Sequence, residues 1–384
     1  MADRHSDQGE YPEALRLYDE VLKTFREIGD RGNAAAVLNN MGLVLQTQNN
    51  LDRAGRAFTE AAAAFQDTGE SGNYRIAMSN FSDVRAAQGD LAGAARIRER
   101  MLTMARSTHN PARIATALWG LATSREMSGN LAEARAMTEE GIGLCRQAGA
   151  TEALITGLGV LGGIKMEQGD LSGGRHDYEE GLALEQQRNA AGAVAESKWL
   201  LAELSLEEGN AAQAVTLLQQ SIPEFELEKA TSALAMAQTS LGRARLMQGK
   251  IRDAKQAAAT AARSSQGTSD PTVTMPLAIL QARLLAAEGS PASARSAKLR
   301  LARSQLQRVI ASARKIGFFD EEYHGRLALG EVEMEITAAL GRPTLTSLEQ
   351  SASLHGFQLL ARQAAAMREL QPNNASTLAS TRIN

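Results

Sequence analysis

The chain has 384 residues, 43% hydrophobic and 22% charged, which is the composition of a folding chain and not of a disordered one. Aromatics make up only 4%, too few for an aromatic-rich β-sandwich or barrel, and 41 basic against 44 acidic side chains leave a formal charge of −3, so no global field draws the protein onto nucleic acid or membrane. One cysteine, Cys145, excludes an internal disulfide and a cysteine-based zinc cage and fits a reducing, cytoplasmic compartment.

The chain opens without an apolar signal core, because Asp3, Arg4, Asp7, Glu10 and Glu13 interrupt it. The first recognisable element is a helix over residues 11–28. It reads as the second helix of a hairpin whose first helix is not in the sequence, so residues 1–29 are expected to be a half-repeat and the chain the later part of a longer protein. A true start with an exposed half-repeat is the alternative.

From there the sequence repeats. Turn residues fall at Asn49, Gly89, Gly129, Gly169, Gly209 and Gly249, each forty after the last, with Gly9 and Gly289 extending the series. Glycine suits a helix C-terminus that turns through a left-handed backbone. The following residue is Asn50, Asp90, Asn130, Asp170 or Asn210, each able to cap the next helix, and Glu133 and Gln213 stand where they would complete capping boxes. Small residues recur before the turn (Gly42, Ser82, Ala122, Gly162, Ala202, Gly242) and after it (Ala54, Ala94, Ala134, Gly174, Ala214, Ala254), which lets two helices approach closely. Pairs such as Met41 with Val44 and Leu201 with Leu204 are spaced for one buried helical stripe. Second breaks at Gly29, Gly69, His109, Gly149 and Asn189 end each unit. Each unit is therefore a helical hairpin that must stack on its neighbours.

The small residue near Gly42, the alanine at Ala54 and the large residue at Phe58 or Tyr178 resemble the tetratricopeptide repeat. The chain departs from that pattern in its period of 40 rather than 34 and in lacking a tyrosine at Leu45, Arg85, Arg125, Lys165 and Arg245, and its longer helices are similar to variants in bacterial signalling proteins and in kinesin-light-chain-like arrays. The resemblance implies an all-α fold, a right-handed α-solenoid of stacked antiparallel helix hairpins over residues 1–290. It also implies that the first helix of each hairpin lines a concave groove, where asparagines hold peptide backbone. The matching residues are Asn39, Asn40 and Asn80, with Asp83, Trp119, Glu203 and Arg243 in register; the alternative is that Asn40 and Asn80 bridge adjacent helices and that Trp119 and Trp199 are partly buried packing residues. Stacking would also align Arg85, Arg125, Lys165 and Arg245 in a cationic column, either gripping an acidic ligand or pairing with glutamates such as Glu126 and Glu167.

After Gly289 the period stretches. A long helix is expected from Pro291 to Lys315, another from Asp320 to about Leu340, a turn at Gly341–Arg342–Pro343, and a last helix from Leu345 to about Leu370 interrupted near Gly356. Residues 291–371 thus read as a modified last repeat and helical cap, and 372–384 as a disordered tail. The basic stretch before Phe319 and the acidic stretch from Asp320 onward are expected to neutralise each other, which disfavours nucleic acid.

No chemistry of catalysis stands out. His5, His109, His176, His324 and His355 are dispersed, none pairing with another at a metal-ligand spacing, and no nucleophile elbow or Walker lysine occurs. Gly157, Gly159 and Gly162 match a dinucleotide fingerprint but lie inside a helix with no preceding strand, so they predict only a weaker hairpin, at about 1 kcal/mol per glycine. The leading reading is a non-enzymatic module, without cofactor, metal or membrane contact, that binds a protein or peptide in its concave groove; exposed terminal repeats also offer a homo-oligomer contact. The alternative is the sensory or regulatory C-terminal part of a larger bacterial transcriptional regulator or protein kinase, whose ends the stretches 325–335 and 356–366 resemble.

Overall fold

A computed structural model describes residues 2–7, 10–48, 50–188, 191–268, 270–288 and 292–370. The turn residues expected at Gly9, Asn49 and Gly289, the break at Asn189, the helix start at Pro291 and the tail from 372 lie outside the described residues. Every described element is a helix or a turn, and none of the helices is long and apolar enough to cross a membrane. The chain falls into two compact units, Met1–His109 with Gly267–Asp270, and Asn110–Gln266 with Pro271–Asn384.

The first unit holds α1 (Ala2–Asp7), α2 (Tyr11–Glu27), α3 (Arg31–Thr47), α4 (Leu51–Asp67), α5 (Ser71–Ala87) and α6 (Leu91–Ser107). The second continues with α7 (Pro111–Met127), α8 (Leu131–Ala148), α9 (Thr151–Glu167), α10 (Leu171–Gln187), α11 (Ala191–Glu207), α12 (Ala211–Leu227), α13 (Thr231–Met247) and α14 (Ile251–Ser264). It ends in α15 (Pro271–Ala287), α16 (Ala292–Ile316), α17 (Phe319–Ile336), α18 (Ala338–Leu354) and α19 (Gln358–Glu369). Within each unit successive helices pack as antiparallel neighbours, the stacked-hairpin solenoid of the sequence period.

Local chemistry sets the hairpin. The turn glycines carry φ between 71° and 84° at Gly89, Gly129, Gly169, Gly209 and Gly249. At Gly89 the next amide, Asp90 N, reaches back to Arg85 O at 2.9 Å, closing the helix end, while Asp90 Oδ1 accepts from Gly93 N at 2.8 Å and opens the next. Asp170 and Asn210 cap in the same way, but Asn50 and Asn130 do not. The two capping boxes also fail to form. Glu133 turns to Arg125 at 3.1 Å, and the Gln213 carbonyl accepts from the Asn210 side chain at 2.9 Å, so neither reaches back to a cap amide.

Helix contact is decided by volume at one facing pair. Gly42 lies under the ring of Phe58 and Gly162 under that of Tyr178; a methyl added at either glycine would stand 2.5 Å from the ring. Both rings are almost wholly buried, so the family-like glycine–aromatic pairing is the core of these hairpins.

Beyond α15 the structure departs from the sequence expectation. The helix expected to run to about Leu340 stops at Ile336, because Thr337 takes an extended backbone and its side chain caps Leu340 N at 3.3 Å. Gly341 and Pro343, expected as a turn, instead lie in the first turns of α18. Gly341 is needed there because a Cβ would stand 2.6 Å from the Met334 nitrogen. The interruption near Gly356 is present, with φ of 86°. The opposite charges of α16 and α17 do meet: Arg295 pairs with Glu335 at 3.1 Å, Arg303 with Glu333 at 2.7 Å and Arg314 with Glu322 at 2.7 Å.

These last helices pack back on the repeats of their own unit. Leu131, at the start of α8, shares a core with Tyr323, Leu327, Leu345 and Phe357. Arg362 Nη2 donates to Gly169 O and Gln363 Nε2 to Glu207 Oε2, both at 2.8 Å. Thus α19 bridges the inter-helix turn of one hairpin to the end of the first helix of the next.

Candidate binding site on the inner face of the second unit

A helix of 3.6 residues per turn shows one face at i, i+3 or i+4, and i+7. In α11, α13 and α15 the face turned toward α17 and α19 follows that rule. Trp199, Glu203 and Glu207 form one row, with Met236, Ser240 and Arg243, and then Pro276, Ile279 and Arg283, in equivalent places. The forty-residue period brings like positions on neighbouring hairpins together. Arg243 Nη1 donates to Glu203 Oε2 at 2.5 Å, forty residues away, and Trp199 Nε1 donates to Ser240 Oγ at 3.0 Å, forty-one away.

These rows and α17 enclose a cavity of about 260 Å³. Its apolar wall is Trp199, Met236, Val273, Ile279 and Leu280; its polar wall is Glu203, Arg243, Arg283, Asp320, Glu321 and His324. Arg243 also holds Glu207 Oε1 at 2.6 Å, and Arg283 holds Glu331 at 2.6 Å. Glu203 Oε1 and Arg283 Nη2 are nevertheless buried with no hydrogen-bond partner among the described residues. A buried acceptor and a buried donor left over in one cavity are groups whose cost a ligand could remove.

Beside the cavity lies a concentration of acid. Glu167, at the end of α9, is 6% exposed, and its carboxyl is held well above the usual range by burial first and then by Asp320, Glu207, Glu126 and Glu321. Burial, assisted by Asp320, pushes Glu126 up to about 7. The Tyr178 hydroxyl is likewise raised, by burial first and then by Glu126 and Glu167. For Arg243, burial acts against the charge, but Glu203 and Glu207 outweigh it and the guanidinium stays charged.

Of the residues singled out in the sequence, Glu203 and Arg243 line the cavity. Arg125, Lys165 and Arg245, the members of the cationic column in this unit, do not line it. Arg85 pairs with Asp90, Arg125 with Glu133 at 3.1 Å and Lys165 with Asp177 at 2.6 Å, and Arg245 donates to Gln248 at 3.1 Å. The column stands two residues beyond the cavity row, or about 200° around the helix, which turns it toward the second helix of its own hairpin. Glu126 and Glu167, the partners envisaged for it, belong to the acidic cluster instead. Trp119 is packed away at 5% exposure, seated against Gly141 and Gly157, each of which would place a methyl within 2.8 Å of the ring. In the first unit Asn80 Nδ2 donates to Asn39 Oδ1 at 3.1 Å, bridging α5 to α3, Asn40 is partly buried beside them, and Asp83 pairs with Arg98 at 2.5 Å.

Sequence reasoning passed over Arg283, Asp320, Glu321 and His324. Arg283 carried a signal, since it stands forty residues after Arg243 and eighty after Glu203. On α17 the only signal was local, the i, i+4 spacing of Asp320 and His324 on an expected helix, because the period has already broken there.

Residues 1–67 match the family model of the tetratricopeptide repeat. No curated protein matches the chain in sequence. Among solved structures the chain is similar to the apo form of RapI, at 10% identity and a TM-score of 0.53, covering 69% of this chain and 95% of that one. It is similar to a Rap protein complexed with competence and sporulation factor, at 13% identity and a TM-score of 0.51, covering 94% and 99%. It is also similar to the Rap conjugation gene regulator of plasmid pLS20 in complex with the Phr* peptide, at 10% identity and a TM-score of 0.50, covering 86% and 98%. Residues 1–67 thus match the tetratricopeptide repeat, and the chain shares with these structures the fold of stacked helical hairpins.

Proposed function

We propose that the protein is an interaction module that takes a peptide segment of a partner into the cavity between α11, α13, α15 and α17. The observation that carries this reading is the cavity itself: an apolar wall built on Trp199 and Met236 faces the unpartnered Glu203 Oε1 and Arg283 Nη2. A peptide unit offers one donor and one acceptor, the complement of those two groups, and an aromatic wall suits an apolar side chain. Two of the similarly folded proteins were solved with competence and sporulation factor and with the Phr* peptide, which supports a peptide-sized ligand here. Binding rather than catalysis fits the charged groups, since Arg243 is held between Glu203 and Glu207.

The test is peptide selection by phage display on the intact chain, followed by binding to three variants. Trp199→Ala and Arg283→Ala are each expected to weaken the selected peptides by about tenfold or more, the scale of an interface anchor. Asn40→Ala with Asn80→Ala is expected to leave them unchanged. Loss confined to the asparagine variant would move the site to the first unit, and equal binding by all would refute both placements.

A further inference from the structure

We propose that Glu167, Asp320 and His324 form a binding site for a divalent cation of the zinc type, joining the repeat helix α9 to the C-terminal helix α17. One donor atom from each residue lies within 4.8 Å of the other two. Tetrahedral zinc with ligands at about 2.0–2.2 Å sets its donors roughly 3.4 Å apart, so small rotamer adjustments close the triangle. Asp320 and His324 stand one turn apart on α17, the i, i+4 spacing that aims two side chains at one point. Their facing atoms, Oδ1 and Nε2, are 3.2 Å apart, yet Oδ1 makes no hydrogen bond among the described residues.

Glu167 supplies the independent observation. It is more than nine-tenths buried, one of its carboxylate oxygens lies within 4.8 Å of the Asp320 and His324 donors, and Oε2 has no hydrogen-bond partner among the described residues. An isolated buried carboxylate is costly unless it is paired or coordinates a metal. The Arg243 guanidinium on this face is engaged by Glu203 and Glu207. The titratable neighbours of Glu167 are all acidic, Asp320, Glu207, Glu126 and Glu321, so a cation is the species that suits the site. One imidazole with two carboxylates suits zinc or manganese better than the all-oxygen preference of magnesium and calcium. Three protein ligands would leave a coordination position facing the cavity, which Asp320 and His324 also line.

The full chain, stripped with chelator, is titrated with zinc sulfate by calorimetry and, in parallel, with manganese chloride. One tight equivalent of zinc is expected, weakened at least about tenfold in Glu167→Gln, Asp320→Asn and His324→Gln alike, the loss typical of damaged metal sites. His176→Gln, at an exposed histidine outside the cluster, is expected to bind as the unaltered protein does. Cobalt(II) in place of zinc gives a visible absorption that Glu167→Gln should lose. Circular dichroism checks folding, and the partly exposed Asp320→Asn guards against a variant that fails through the core. Zinc bound equally by all variants, an adventitious ion only, would overturn the proposal, as would no binding by the unaltered chain.

Discussion

Arg243→Ala tests whether the inner face is held by buried charge pairs. The guanidinium bridges Glu203 Oε2 at 2.5 Å and Glu207 Oε1 at 2.6 Å, with Glu207 only 4% exposed. Removing it leaves two carboxylates close together and one of them nearly out of water. Breaking a buried pair in this way costs about 3–5 kcal/mol. Glu203 keeps some solvent contact at 20% exposure, so the lower end, about 3 kcal/mol, is the better figure. Hydrogen exchange read by mass spectrometry suits a stacked array, because repeats open separately. At 1.36 kcal/mol per tenfold, the amides of α11 and α13 should lose roughly a hundredfold in protection. The double variant Arg243→Met with Glu207→Gln removes the orphaned charge along with its partner and should recover most of the loss. A single variant that loses less than tenfold, or a double variant no better than the single, would refute the reasoning.

Other outcomes can be stated more briefly. Glu126→Gln should stabilise the metal-free protein at pH 8 but not at pH 4. The folded carboxyl titrates near 7 against an ordinary 4.5, so stability is greatest below 4.5 and is lost as pH rises between those values, by up to about 3 kcal/mol in denaturation with chelator present. Gly162→Ala should destabilise by about 1–3 kcal/mol, through overpacking against Tyr178, despite alanine's better helix propensity. Gly159→Ala, whose methyl would meet only Leu200 at 3.8 Å, should instead gain up to about 1 kcal/mol in thermal unfolding. Gly356→Ala, at φ of 86°, should cost about 1–2 kcal/mol and raise exchange in α18 and α19, because the left-handed turn delivers Phe357 to its core with Leu131. Unchanged exchange there would deny that turn its role.

The contrast between Gly159 and Gly162 shows where sequence reading stops. Both are equally poor helix residues on a propensity scale, and the sequence predicts a weak hairpin from them together. Folded, Gly162 and Gly157 are the seats of Tyr178 and Trp119, so two of the apparent defects are packing requirements.

The amino-acid sequence by itself determined the hairpin, its forty-residue repeat and the turn glycines, because those depend on capping, backbone freedom and helical spacing within a few residues. It also placed Glu203 and Arg243 in one register. Only tertiary structure decided which side of each first helix faces the cavity, since a shift of two residues turns a side chain by about 200°. Tertiary structure alone brought Asp320 and His324 to Glu167, more than 150 residues away in the chain, because α17 is placed by core packing around Tyr323 and Leu131 and not by any repeating spacing.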